Sequence, residues 1–110
     1  MTDLRAQRCE TMVQPIVDLT AALLAAQVGN ANNFDDIIRA AQTILDVVEL
    51  GSAGVDETAY IEWAGAAAPT FERIIAAAER KDKKAAWAAF ADPVTGVYRV
   101  SAACAGLPGW

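Results

Sequence analysis

The stretch CETMVQPIVDLTAALLAA, running from Cys9 to Ala26, decides the class of fold. Its apolar residues Cys9, Met12, Ile16, Leu19, Leu23 and Ala26 recur every three or four positions. That is the spacing of one face of an α-helix. The strict alternation of a half-buried strand does not occur in it.

The same period returns three times further along the chain. Gly29-Asn30-Ala31-Asn32-Asn33 reads as a loop, in which Asn33 is suited to cap the next helix and Asp35 and Asp36 fall in its first turn. Phe34, Ile37, Ala41, Ile44, Leu45 and Val48 form the second stripe, which Gly51-Ser52-Ala53-Gly54 ends. Asp56 is a good cap for a third helix carrying Tyr60, Trp63, Ala67, Phe71, Ile74 and Ala78. Pro69 interrupts that stripe without shifting its phase, which predicts one kinked helix and not two. A fourth helix begins near Asp82 with Trp87, Phe90, Val94, Val97, Ser101 and Cys104 inward, and again kinks at Pro93. A break at Asp92-Pro93, with Asp92 capping a separate short helix, is the alternative there. Gly106 and Pro108 stop the chain of helices.

These stripes predict an all-α fold, an antiparallel up-down-up-down four-helix bundle with proline kinks in helices 3 and 4. The expected helices span about 3–28, 34–50, 57–80 and 83–105. The 110 residues form a single domain, 1–110, because two cores of half that size would each be unstable. Disorder is excluded by a hydrophobic fraction of 55%, much of it alanine.

The formal net charge of −5 argues against a nucleic-acid surface, which needs a basic face. The one dense basic run, Arg80, Lys81, Lys83 and Lys84 around Asp82, reads as a solvated corner between two helices. No stretch reaches the roughly 18 to 20 apolar residues a membrane span needs, so no membrane is expected as a partner. The opening Met1 to Arg8 lacks the pattern of a secretory signal. The expected location is the cytoplasm, or the periplasm if Met1 replaces a removed signal.

Histidine is absent. A Ser-His-Asp or Cys-His arrangement is therefore impossible within the chain, as is the Glu-x-x-His di-iron site of ferritin-like bundles. Zinc would have to rest on two cysteines and carboxylates. Asp18, Asp46, Glu62 and Glu79 fall off the apolar stripes, and Glu72, beside Phe71, reads as a surface residue near Arg73 or Arg39. No nucleophile, base and orienting group can be assembled. The reading is of a non-enzyme, with no catalytic residue and no metal site.

Cys9 and Cys104 fall at the same pole of such a bundle. Three readings stay open for them: core thiols, a structural disulfide closing a large loop, or a ligand or redox pair. Met12 points inward at that pole. An apolar-ligand pocket between the helices would be lined by Met12, Ile16, Trp63, Phe71, Trp87 and Phe90. Tyr60 and Tyr98 are also expected to be mostly core. Trp110, beyond Gly106-Leu107-Pro108-Gly109, either folds back over the pole or projects as an anchor for a partner.

The layout resembles the cytochrome c-prime and cytochrome b562 group. Met12 stands in the inward stripe of the first helix, and the run from Ile74 to Phe90 is similar to the family's junction between its third and fourth helices. The ending Ser101-Ala102-Ala103-Cys104-Ala105-Gly106 resembles the approach to its haem-attachment segment. The resemblance implies the four-helix bundle, and pairing of two copies through exposed parts of the first two helices, such as Leu24, Val28, Ile38 and Val47. It also implies a haem held by a C-terminal histidine, in c-type members within Cys-x-x-Cys-His. Here Cys104 is followed by Ala105, Gly106 and Leu107, with no histidine. The expectation is a non-enzymatic helical module without cofactor, acting by protein-protein interaction or self-association as a homodimer. The alternatives are a carrier or sensor for a small apolar ligand or for haem, through Cys9, Met12 or Cys104, and an accessory subunit of an enzyme complex.

Overall fold

The structure is a computed structural model that describes residues 3–29 and 33–110. Asn30, Ala31 and Asn32, the middle of the expected first loop, lie outside the described residues. Among the described residues there are six α-helices and no strand: α1 (Leu4–Gln27), α2 (Asn33–Glu49), α3 (Thr58–Ala66), α4 (Ala68–Glu79), α5 (Lys83–Phe90) and α6 (Tyr98–Ala103).

α1 starts where Asp3 accepts a bond from the Ala6 amide at 3.1 Å, an N-cap that satisfies one of the orphan amides. Pro15, which the periodicity did not mark as a break, lies inside this continuous helix. Cys9, Met12, Leu19, Ala22, Leu23 and Ala26 are buried, so the stripe that decided the fold is the core face. One expectation needs correction. By length and composition α1 is apolar enough to cross a membrane, because leucine and alanine keep the average high without forming an unbroken run. In this fold a third of that apolar window is buried.

α2 begins at Asn33 with Asp35 and Asp36 in its first turn, where carboxylates favour the positive end of the helix dipole. It lies between α1 and α4 and buries a wide arc, from Ile37, Ala41, Ile44, Leu45 and Val48 round to Ala40 and Val47. The helices α1, α2, α4 and α5 pack in a closed cycle, each against the next, while α3 packs chiefly against α6.

The third expected helix is divided in two. α3 starts after Glu57 and not after Asp56, and Glu57 makes no side-chain capping bond. Ala67 alone separates α3 from α4 and keeps helical angles (φ −82°, ψ −26°). The cause of the break is Pro69, which has no N–H to give the Gly65 carbonyl. The ladder restarts with the Thr70 and Phe71 amides, which both bond the Ala67 carbonyl. The inward stripe survives this break: Tyr60, Trp63, Ala67, Phe71, Ile74 and Ala78 are all buried.

The fourth expected helix is divided more deeply, and its phase is kept only in part. α5 is capped by Asp82, which accepts from the Ala85 amide at 3.0 Å, as expected. It ends at Phe90. Asp92 Oδ1 then accepts the amides of Val94 at 2.8 Å and Thr95 at 2.9 Å, so the carboxylate caps a turn and not a helix. Gly96 closes the turn by donating to the Asp92 carbonyl at 2.8 Å. A Cβ on Gly96 would stand 2.3 Å from that oxygen and 2.5 Å from the Phe90 carbonyl, so no other residue fits. Thr70, buried on α4, ties the turn down by donating to the Thr95 carbonyl at 2.8 Å. The extra residues of the turn shift part of the stripe: Val94 and Ser101, expected inward, are exposed, as is Tyr98, and Val100 and Ala103 join the expected Cys104 in the core, with Val97 half-buried against it.

Candidate interaction surface

At one pole the first and last helices are fastened together. Cys9 and Cys104 form a disulfide across 95 residues of sequence, and both are fully buried. Beside it Arg5 donates to the carbonyls of Ala103 at 2.8 Å and Ala105 at 2.9 Å, satisfying acceptors that the end of α6 leaves open. Trp110 folds back over α1: its indole N–H donates to the Cys9 carbonyl at 3.0 Å. It is therefore a half-buried part of the fold and not a projecting anchor. Arg8 donates to the Gly51 carbonyl, fixing the loop after α2. The Tyr60 hydroxyl is buried near Arg8, and among the described residues no hydrogen bond to it meets the geometric limits. Burial raises its pKa, and the guanidinium pulls it the other way.

The six residues expected to line a ligand pocket share one core. Met12, Trp63, Phe71 and Phe90 are buried, and Ile16 and Trp87 pack against them half-buried. The rings of Trp87 and Phe90 lie 5.5 Å apart and tilted by 33°, and those of Trp63 and Tyr60 lie 5.5 Å apart and tilted by 57°. The cavity that Trp63 borders measures about 10 Å³, the scale of a single water.

Cys9 and Cys104 are bonded to each other, Met12 is packed in the core, and the sequence holds no histidine. Among the described residues no three Cys, Asp or Glu side chains gather as metal ligands.

Among the surfaces the fold leaves open is one side of α1. Val17, Ala21, Leu24 and Val28 follow one another at spacings of four, three and four, which aligns them on the side opposite the core. Val17 is 54% exposed, Leu24 51% and Val28 85%. Glu10 and Gln14 continue the line toward the N-terminus, both exposed. Along its edge runs a groove of about 560 Å³ between α1 and α2, which Ala21, Ala25 and Ala40 share with Asp18, Asp36 and Arg39. Of the five expected partner residues, Leu24 and Val28 thus lie on this surface, and Trp110 is folded back over α1. Ile38 is half-buried against the core, and Val47 is buried at 6% exposure because α2 is flanked on both sides. Val17 and Ala21 were missed, although the same three-and-four spacing that marked the core marks them.

A second groove, of about 580 Å³, runs between α4 and α5 on the opposite side of the cycle. Its floor is alanine (Ala76, Ala77, Ala85, Ala88 and Ala89), with Arg73 and Arg80 on α4 and Asp92 at the end of α5. The Asp92 carboxyl is held below its ordinary pKa, first by the Thr95 and Val94 amides and in smaller part by Arg73. Compared with protein-family models, curated proteins and solved structures, the chain matches none.

Proposed function

We propose that this chain is a haem-free, non-enzymatic helical-bundle protein that acts by binding protein, including a second copy of itself, through the exposed side of α1. In this reading α3 with α4, and α5 with α6, are the broken third and fourth arms of an up-down-up-down bundle. The closed packing cycle of α1, α2, α4 and α5 supports that arrangement.

The observation that carries the proposal is the stripe Val17, Ala21, Leu24 and Val28. Single exposed apolar residues need no explanation, but an aligned row of them on the back of an already packed helix does. An amphipathic helix that is apolar on two sides has two surfaces to cover, and the fold covers one. The buried disulfide supports an oxidising compartment such as the periplasm, since a reducing cytoplasm would leave two thiols.

Light scattering over a wide concentration range tests this. The wild type should associate, and Leu24→Asp with Val28→Asp should give a monomer of 11.6 kDa with an unchanged helical spectrum. A wild type that is monomeric at every concentration would remove the self-association.

A further inference from the structure

Charge is unevenly divided along the chain. Residues 1–66 contain ten acidic and three basic side chains, whereas residues 67–110 contain four acidic and six basic. Six of those ten acids lie on α1 and α2, among them Glu10 in line with the apolar stripe and Asp18 and Asp36 beside it, against Arg5, Arg8 and Arg39 on the same helices. The groove between α4 and α5 carries Arg73 and Arg80, the latter 3.9 Å from the Asp82 carboxylate, with the exposed Lys81 and Lys84 at the hairpin end. Asp92, the acid at its other end, is engaged by two backbone amides.

Resting on the reading of α1 as a docking surface, we propose that its occupant is the α4–α5 groove of a second copy, in a head-to-tail contact. Shape favours it. The stripe from Val17 to Val28 is about 16 Å long at 1.5 Å per residue, and the eight- and twelve-residue walls of the groove are about 12 and 18 Å. Alanine on both walls leaves holes for larger side chains such as Leu24 and Val28. Charge favours it as well. A two-fold pairing of α1 with α1 would bring acid-rich faces together with Arg39 as their one exposed cation, whereas the head-to-tail contact brings Glu10 and Asp18 toward Arg73 and Arg80. Such a contact is heterologous, so each copy keeps one free face and assembly continues beyond the dimer.

The test mixes two variants of the full chain. One has its stripe disabled (Leu24→Asp with Val28→Asp) and keeps the groove. The other has its groove reversed (Arg73→Glu with Arg80→Glu) and keeps the stripe. Ala88→Glu, at an exposed position of the groove floor, replaces the second variant if that one loses its helical spectrum. Sedimentation should show wild type growing past the dimer and weakening at about 0.5 M salt. Each variant alone should be monomeric, and the equimolar mixture should form a one-to-one dimer that grows no further. Association of the groove variant like wild type would overturn the head-to-tail contact and leave α1 pairing with itself, so the proposed function would stand. A mixture that stays monomeric while wild type associates would also overturn it. Wild type that never associates would sink both readings together.

Discussion

Replacing Cys9 and Cys104 by alanine should remove a large part of the stability of this fold. The bond joins residues 95 apart, so nearly the whole chain is one closed loop in the unfolded state. The loop-entropy relation places the stabilisation at about 4.7 kcal/mol at 25 °C. A domain of this kind is stable by roughly 5–15 kcal/mol in total, so the loss is a third or more of it. With an unfolding entropy of about 2.1 cal/mol/K per residue, the melting temperature should fall by about 20 °C. Urea titration followed by circular dichroism is the assay. The midpoint should fall and the slope should rise, because an unfolded chain freed of the cross-link exposes more surface. Each single variant already breaks the bond, so Cys9→Ala and Cys104→Ala should each cost nearly as much as the pair. A loss under about 1.5 kcal/mol, or two small additive losses with an unchanged slope, would refute this reasoning.

Gly96→Ala should destabilise by about 2–3 kcal/mol, since its Cβ would meet two backbone oxygens that cannot move without opening the turn; chemical unfolding reads this directly. Asp92→Ala should lower the melting temperature at neutral pH. The depressed pKa of Asp92 means that its contribution is complete above the ordinary value of 3.8 and is lost as pH falls through the folded value. The gap between variant and wild type should therefore close in melts recorded well below pH 3.8, and a gap independent of pH would count against the capping role. Phe71→Ala should cost about 3–5 kcal/mol, because the ring is 1% exposed in the centre of the core. Trp110→Phe should cost about 1 kcal/mol, the net worth of the bond to the Cys9 carbonyl.

Much of the helical content was legible in the residues alone. The period of three and four located α1 and α2 to within a residue or two and identified the core face of α1 through α4, because burial on one side of a helix leaves that mark wherever it occurs. Asp82 was legible as a cap for the same kind of reason: its bond to Ala85 is local. The prolines show where such reading stops. Pro15 lies inside a continuous helix, Pro69 divides one while the stripe keeps its phase, and Pro93 opens a turn that shifts part of the stripe. A proline removes the same donor each time. The outcome depends on what accepts or replaces the lost bond, and at Pro93 that was the Asp92 carboxylate, the Gly96 amide and the distant Thr70 hydroxyl.

The surface was legible only in part. Periodicity tells which side of a helix is apolar, not which of its apolar sides is covered. Val47 and Leu24 are both aliphatic, yet α2 has helices on two sides and hides Val47, while α1 shows Leu24 to solvent. The cysteines were candidates for a bond, for packing or for ligation until the fold brought their Cα atoms to 5.7 Å. Local spacing thus determined that this chain is helical and where its first core stripes run, since those depend on neighbours a few residues away. The disulfide, the folded-back Trp110 and the stripe left open on α1 join or separate residues far apart in the chain, and only tertiary packing could decide them.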